Sequence, residues 1–208
     1  MVSAIVLTVL AAYLLGNHNG AICVSVWMVH DDVRSHGSGN AGLTNFLRSY
    51  GGRKTLLVVA LDVGKTVIAC LLGGMLLQPY DLRMEGMMLG AVAVTLGHDF
   101  PILMNLKGGK GILCGATAVF VMDLRLGLIL AVVFVLSVLI TRYISVGSIL
   151  AAAGFGIGFA VLYWHRPWVV AGGLFIGALA LWMHRANIKR LLTGTENKFS
   201  IAKKEKKA

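Results

Sequence analysis

"SHGSGNAGLTN", Ser35 to Asn45, places Gly37, Gly39 and Gly42 in the spacing G-x-G-x-x-G. In a dinucleotide-binding fold those glycines follow a strand and open a helix inside a βαβ unit of about 30 residues, with an acidic residue about 20 positions further on. The residues ahead of this segment, Val2 to Val29, instead form a long apolar run. Roughly 20 such residues carry a helix across a hydrocarbon core. The strand that a cofactor loop requires is missing, so the segment reads as a polar loop at the end of a membrane helix.

The rest of the chain follows that pattern. Its 208 residues are 57% hydrophobic and only 13% charged, and the mean hydropathy is +0.80. A soluble domain of this size carries about 25% charged residues and breaks its apolar runs with polar faces. Apolar helices are expected near Val2 to Val29, Leu56 to Leu77, Gly86 to Gly97, Gly111 to Met122, Leu126 to Thr141, Ser148 to Trp164 and Trp168 to Met183. The expected fold is an all-α integral membrane protein, a seven-transmembrane helix bundle with short or re-entrant helices around a cytoplasm-facing site. "GNHNG", Gly16 to Gly20, is expected to kink or break the first helix.

Orientation follows from the basic residues. With the N-terminus outside and the C-terminus inside, only Arg83, Arg125 and Arg166 of the 19 Lys and Arg residues lie outside, Lys65 falls in mid-membrane, and the others are cytoplasmic. That asymmetry is the positive-inside rule. It accounts for most of the +10 net charge without nucleic acid as a partner. One membrane-embedded domain is expected over residues 1–198. A basic cytoplasmic tail follows over 199–208, where "KKEKK" can touch anionic headgroups. Cys23, Cys70 and Cys114 lie in or beside apolar helices without metal-ligand spacing, so they read as small buried hydrophobes. No metal or other cofactor is implied.

This topology collects "SHGSGNAGLTNFLR", "GHDFPILMNLKGGKG" and "HRANIKRLLTGTENK" on one membrane face. In the first, Ser38, Asn40, Thr44, Asn45 and Arg48 can donate hydrogen bonds to a phosphate or hydroxyl, the glycines giving backbone clearance. Thr44 or Asn45 is equally a candidate helix cap. In the second, Lys107, Gly108, Gly109, Lys110 and Gly111 combine two ammonium groups with bare amides, suited to a phosphate. The segment lacks the spacing of a Walker A loop. Its flanking helices, about 12 residues each, are too short to cross alone, so the loop is expected to dip towards a polar pocket. In the third, His184 and Asn187 share a helical face at i, i+3. Asp62 and Lys65, also at i, i+3, stand inside an apolar helix, where charges must pair or face a cavity.

The three segments together, with "LDVGK" and "TRYISVGSI", resemble the bacterial acyl-phosphate:glycerol-3-phosphate acyltransferases, the PlsY family, in order and spacing over nearly the whole chain. The resemblance implies transfer of a fatty acyl group from acyl phosphate to the sn-1 hydroxyl of glycerol 3-phosphate, giving lysophosphatidic acid and phosphate, in a bacterial plasma membrane. It implies as partners the two substrates, membrane lipids and the enzyme that makes acyl phosphate. Ser38, Asn40 and Arg48 then lie near the reacting centre, Lys107 to Gly111 form a phosphate loop, and His184 and Asn187 are the polar pair of the third motif. Glu196 matches a structural position. Ser38 and His184 are expected to orient substrates without an acyl-enzyme on Ser38. The sequence departs from the family pattern at Ile112, Leu113 and Cys114, where Val-Ala-Thr is usual, and at "GNHNG", which replaces a Ser-Ile-Pro-Phe run. The competing classes are a transporter of an anionic metabolite, coupled through Asp62 and Lys65, and a membrane scaffold with basic anchors. Polarity concentrated on one face favours an interfacial enzyme over a transporter.

Overall fold

The computed structural model describes residues 1–199. The tail expected over 199–208 lies, beyond Phe199, outside the described residues. Among those residues the regular structure is helical throughout. In chain order it comprises α1 (Val2–Asn17), α2 (Gly20–Val24), α3 (Leu43–Tyr50), α4 (Lys54–Leu77) and α5 (Arg83–Asp99). There follow α6 (Ile112–Met122), α7 (Leu124–Thr141), α8 (Ile144–Leu162), α9 (Pro167–Met183) and α10 (Arg185–Leu192).

The first apolar run breaks at "GNHNG", as its glycines and amides suggest. α1 stops at Asn17 and α2 starts at Gly20, capped by Asn19, whose side chain accepts from the Ile22 N–H at 3.1 Å. A helix break at membrane depth frees carbonyls on one side and N–H groups on the other. Here α4 supplies both partners. Lys65 Nζ donates to the carbonyls of Gly16 (3.3 Å) and His18 (3.1 Å), and Asp62 Oδ1 accepts from the Gly20 N–H (3.0 Å). The buried ion pair therefore serves the broken helix.

α1, α4 and α5 pack tightly through small residues, as membrane helices do when van der Waals contact replaces the hydrophobic effect. A methyl group at Gly73 or Gly86 would collide with the other's carbonyl across the α4–α5 contact, and one at Gly16 or Gly97 would collide with backbone across α1–α5. The principal core joins Cys70, Met88, Val119, Leu126, Phe155 and Phe159 from five helices. α7 leans on α8 and leaves Leu128, Ile129, Val132, Leu136, Leu139 and Ile140 exposed. Such a continuous apolar face suits lipid rather than water.

Among the described residues, five helical stretches are long and apolar enough to cross a membrane, and α9 with α10, bent by 52°, qualifies as a sixth. α6 has 11 residues, about 16 Å at 1.5 Å per residue, well short of a ~30 Å core. α5 is longer than expected, 17 residues from Arg83 to Asp99. The shortness flanking "KGGKG" is thus confined to α6.

Candidate active site

The loop before α3 is organised around one buried amide. Asn45 Oδ1 accepts from the Ser38 N–H at 3.0 Å, and its Nδ2 donates to the carbonyls of Val33 and His36, both at 3.0 Å. To wrap around it the chain takes left-handed backbone at Gly37 (φ 57°) and Gly39 (φ 70°), which glycine adopts without strain. A Cβ on Gly37 would collide with the Asn45 amide. These two glycines therefore serve the turn, not clearance for a substrate. α3 begins at Leu43 behind Gly42 without a side-chain cap, so Thr44 and Asn45 sit in its first turn and neither caps it. Ser38, Asn40, Thr44, Asn45 and Arg48 all line one cavity. Both amide donors of Asn45 are already committed to the loop. Among the described residues the Arg48 guanidinium makes a single long contact, to the Asn197 carbonyl at 3.4 Å.

The second segment folds back on the end of α5. The Gly108 N–H donates to the Asp99 carbonyl (3.1 Å) and the Gly109 N–H to the His98 carbonyl (3.0 Å), satisfying acceptors that a helix C-terminus leaves free. A Cβ on Gly108 would strike the His98 carbonyl, and one on Gly109 the His98 imidazole. Close approach to α5 explains the paired glycines. The Ala41 N–H donates to the Gly108 carbonyl at 3.3 Å and so joins the first loop to the second. Lys107 is exposed, whereas Lys110 and Gly111 line the cavity. Gly111 (φ 66°) turns the chain into α6. The first amides of that helix have no intrahelical acceptor and present its positive end to the same cavity, which Ile112 and Leu113 also line. Cys114 is fully buried.

The third segment closes the cavity from α9 and α10. His184 stands at the bend between them, buried, with Nδ1 at 2.8 Å from the Ala180 carbonyl. A carbonyl only accepts, so in the neutral ring Nδ1 carries the proton and Nε2 is left as an acceptor. Lys110 Nζ donates to Asn187 Oδ1, Asn187 Nδ2 donates to Glu196 Oε1 at 2.9 Å, and Arg190 Nε donates to Glu196 Oε2 at 2.6 Å. Burial, with Arg190 adding to it, pushes the Lys110 ammonium down to about 8, partly offset by Glu196. Burial opposes ionisation of Glu196, yet the Arg190 guanidinium and the Asn187 amide hold its carboxyl below the usual range. Glu196 thus orients Asn187 and Arg190 from behind.

The three segments meet over a cavity of about 400 Å³ whose head is polar and whose walls, formed by α6 to α9, are apolar, with Phe134, Phe155 and Ile176 among them. Asp62 and His98 also border the head. Beside them lies a hydrogen-bonded cluster. Lys65 Nζ stands 2.7 Å from Asp62 Oδ1 and 2.9 Å from His98 Nδ1, which is itself 3.5 Å from Asp62 Oδ1. Asn19 Nδ2 reaches the Ala41 carbonyl at 3.0 Å and His98 Nδ1 at 3.4 Å. His98, together with Ser145 and Ser148 on the α8 wall, also lines the cavity and was not singled out from sequence. A polar residue inside an apolar helix is the signal that could have found them.

Residues 6–194 match the family model described as glycerol-3-phosphate acyltransferase. A glycerol-3-phosphate acyltransferase of Thermoanaerobacter sp. (strain X514) is 39% identical over 193 residues, 93% of this chain and 94% of the relative. Glycerol-3-phosphate acyltransferase 1 of Deinococcus radiodurans is 39% identical over 196 residues, 92% of this chain and 96% of the relative. Among solved structures, the glycerol 3-phosphate form of the integral membrane acyltransferase PlsY (YgiH) superposes with a TM-score of 0.83 at 33% identity, covering 95% of this chain and 96% of that one. Its lysophosphatidic acid form gives 0.80 at 31% identity with the same coverage of 95% and 96%. With matches that run almost end to end and a helical membrane fold in common, this chain belongs to the glycerol-3-phosphate acyltransferase family.

Proposed function

We propose that the cavity transfers a fatty acyl group from acyl phosphate to the sn-1 hydroxyl of glycerol 3-phosphate, releasing lysophosphatidic acid and inorganic phosphate. One observation carries this reading: a single cavity joins a cationic, hydrogen-bonding head (Arg48, Lys110, His184, Asn187) to an apolar trough. Two anionic substrates, one with a long tail, need that combination. Acyl phosphate is already activated, so placing the hydroxyl against the carbonyl carbon and stabilising charge supplies the catalysis. The sn-1 oxygen forms the new ester bond while the carbonyl–phosphate bond breaks, and the hydroxyl proton leaves with a phosphate oxygen. Arg48, Lys110 and the start of α6 hold phosphate, and Ser38, Asn40 and His184 orient the reacting groups. Ser38 forms no acyl-enzyme.

We place the mouth of this cavity on the cytoplasmic side of a bacterial plasma membrane, with seven crossings, the N-terminus outside and the C-terminus inside. Residues 1–198 form one membrane-embedded domain, followed by the basic tail. The distribution of Lys and Arg supports that orientation. The test is phosphate release by purified protein given palmitoyl phosphate and glycerol 3-phosphate. Release should require both substrates and fall to background in a Lys110→Ala, Arg48→Ala double variant. Equal release without glycerol 3-phosphate would reduce the reading to a hydrolase, and an acyl adduct trapped on Ser38 would overturn the direct transfer.

A further inference from the structure

The cavity has a floor, and its shape is written in facing residues of α6 and α7. These helices run antiparallel from their junction at Asp123. Three matched pairs step away from that junction four residues at a time, Phe120 with Gly127, Ala116 with Ala131 and Ile112 with Val135, and all six residues line the cavity. Residues four apart share a helical face. The pairs therefore mark three levels, from the floor up to the mouth.

At the first level the helices touch. A Cβ on Gly127 would lie 2.8 Å from Phe120 Cδ1 and 3.2 Å from Phe120 Cα, so the phenyl ring rests directly on the α7 backbone. Opposite, Phe155 stacks on fully buried Phe159, ring centroids 4.8 Å apart, and closes the α8 side. One turn higher, about 6 Å along the axis, both facing residues are alanines that retain accessible surface, and the trough is open.

Resting on the acyl-donor assignment above, we propose that Phe120 seated on Gly127 is the stop for the acyl chain, and that the Ala116–Ala131 pair keeps the last turn above it open. Together they set the chain length the enzyme prefers. A donor chain that ends at this floor buries all its methylenes, a longer one must bend out past α6, and a shorter one leaves a void. Each methylene gained or lost in contact changes discrimination about fourfold.

The test compares kcat/KM for lauroyl, myristoyl, palmitoyl and stearoyl phosphate, each with saturating glycerol 3-phosphate. Phe120→Ala should move the optimum to longer chains, raising the long-to-short ratio at least about fourfold. Ala131→Leu and Ala116→Leu should move it to shorter chains by the same reasoning. If the variants change all four donors in the same proportion, or shift the optimum the opposite way, Phe120 merely packs the helices and the inference is overturned. Should Phe120→Ala fail to fold, the two alanine variants decide. Failure of the wild-type protein to use any acyl phosphate is a separate result, visible before variants are compared, and it would overturn the donor assignment along with this inference.

Discussion

Two groups of charged and polar residues flank the same cavity, and they are wired differently. In the cluster of Asp62, Lys65, His98 and Asn19, the charges and amides meet other residues of the protein: the ion pair at 2.7 Å, two carbonyls of the broken helix, the Gly20 amide and the Ala41 carbonyl. At the mouth, among the described residues, Arg48 makes one long contact, Lys110 has one amide partner, His184 leaves Nε2 open and α6 starts with free amides. A buried polar network with its partners in place fixes structure. Donors held ready but incompletely used bind ligands. Charge alone does not separate the two roles, since each group contains a lysine and a histidine; the difference lies in how heavily the protein itself engages the charged ends, Lys65 and Asp62 with several partners each and Lys110 and Arg48 with one.

The largest expected effect breaks the first group. Asp62→Asn or Lys65→Met alone leaves a buried charge without its partner and should cost about 3–5 kcal/mol, read as a lowered unfolding temperature in detergent. The double variant Asp62→Asn, Lys65→Met should recover much of that loss, because no bare charge remains. Silent single variants would refute the structural role given to this network.

Next come the mouth residues. Lys110→Ala and Arg48→Ala should each lower kcat/KM for glycerol 3-phosphate about 10- to 100-fold, the scale of hydrogen bonds to charged groups, at an unchanged unfolding temperature. If either destabilises the protein as much as the Asp62 or Lys65 variants do, the contrast between the two groups fails.

A pH profile sharpens the same point. The lysine whose ammonium is pushed down to about 8 carries its charge below that pH and loses it above. In the free enzyme, kcat/KM should therefore decline on the alkaline side of about 8. Lys110→Arg, which stays charged, should remove the decline.

The smallest effect belongs to Glu196→Gln. The glutamine still accepts from Asn187 but loses the charge facing Arg190, so KM should rise only a few-fold while kcat holds.

Much of this molecule is legible in one dimension. The helix positions near Leu56 to Leu77, Leu126 to Thr141 and Trp168 to Met183 follow from apolar runs, because a bilayer demands length and hydrophobicity that few other contexts require. The helix break at "GNHNG" follows from glycine and amide content. The separate destinations of neighbouring residues are not legible in the same way. Lys107 and Lys110 look alike in "KGGKG", yet only Lys110 reaches the cavity, because Gly108 and Gly109 are drawn against the end of α5. Asn40 and Asn45 look alike too, yet the second is consumed by its own loop.

Sequence by itself determined the membrane class, most helical segments, the family and the three segments that meet at the cavity, since each rests on local composition or on the order of short motifs. Tertiary structure alone decided which donors remain unspent, that Asp62 and Lys65 serve the broken helix, and that Phe120 meets Gly127 at the floor of the trough. Hydrogen-bond satisfaction and steric contact depend on residues far apart in the chain, and only the folded molecule brings those residues together.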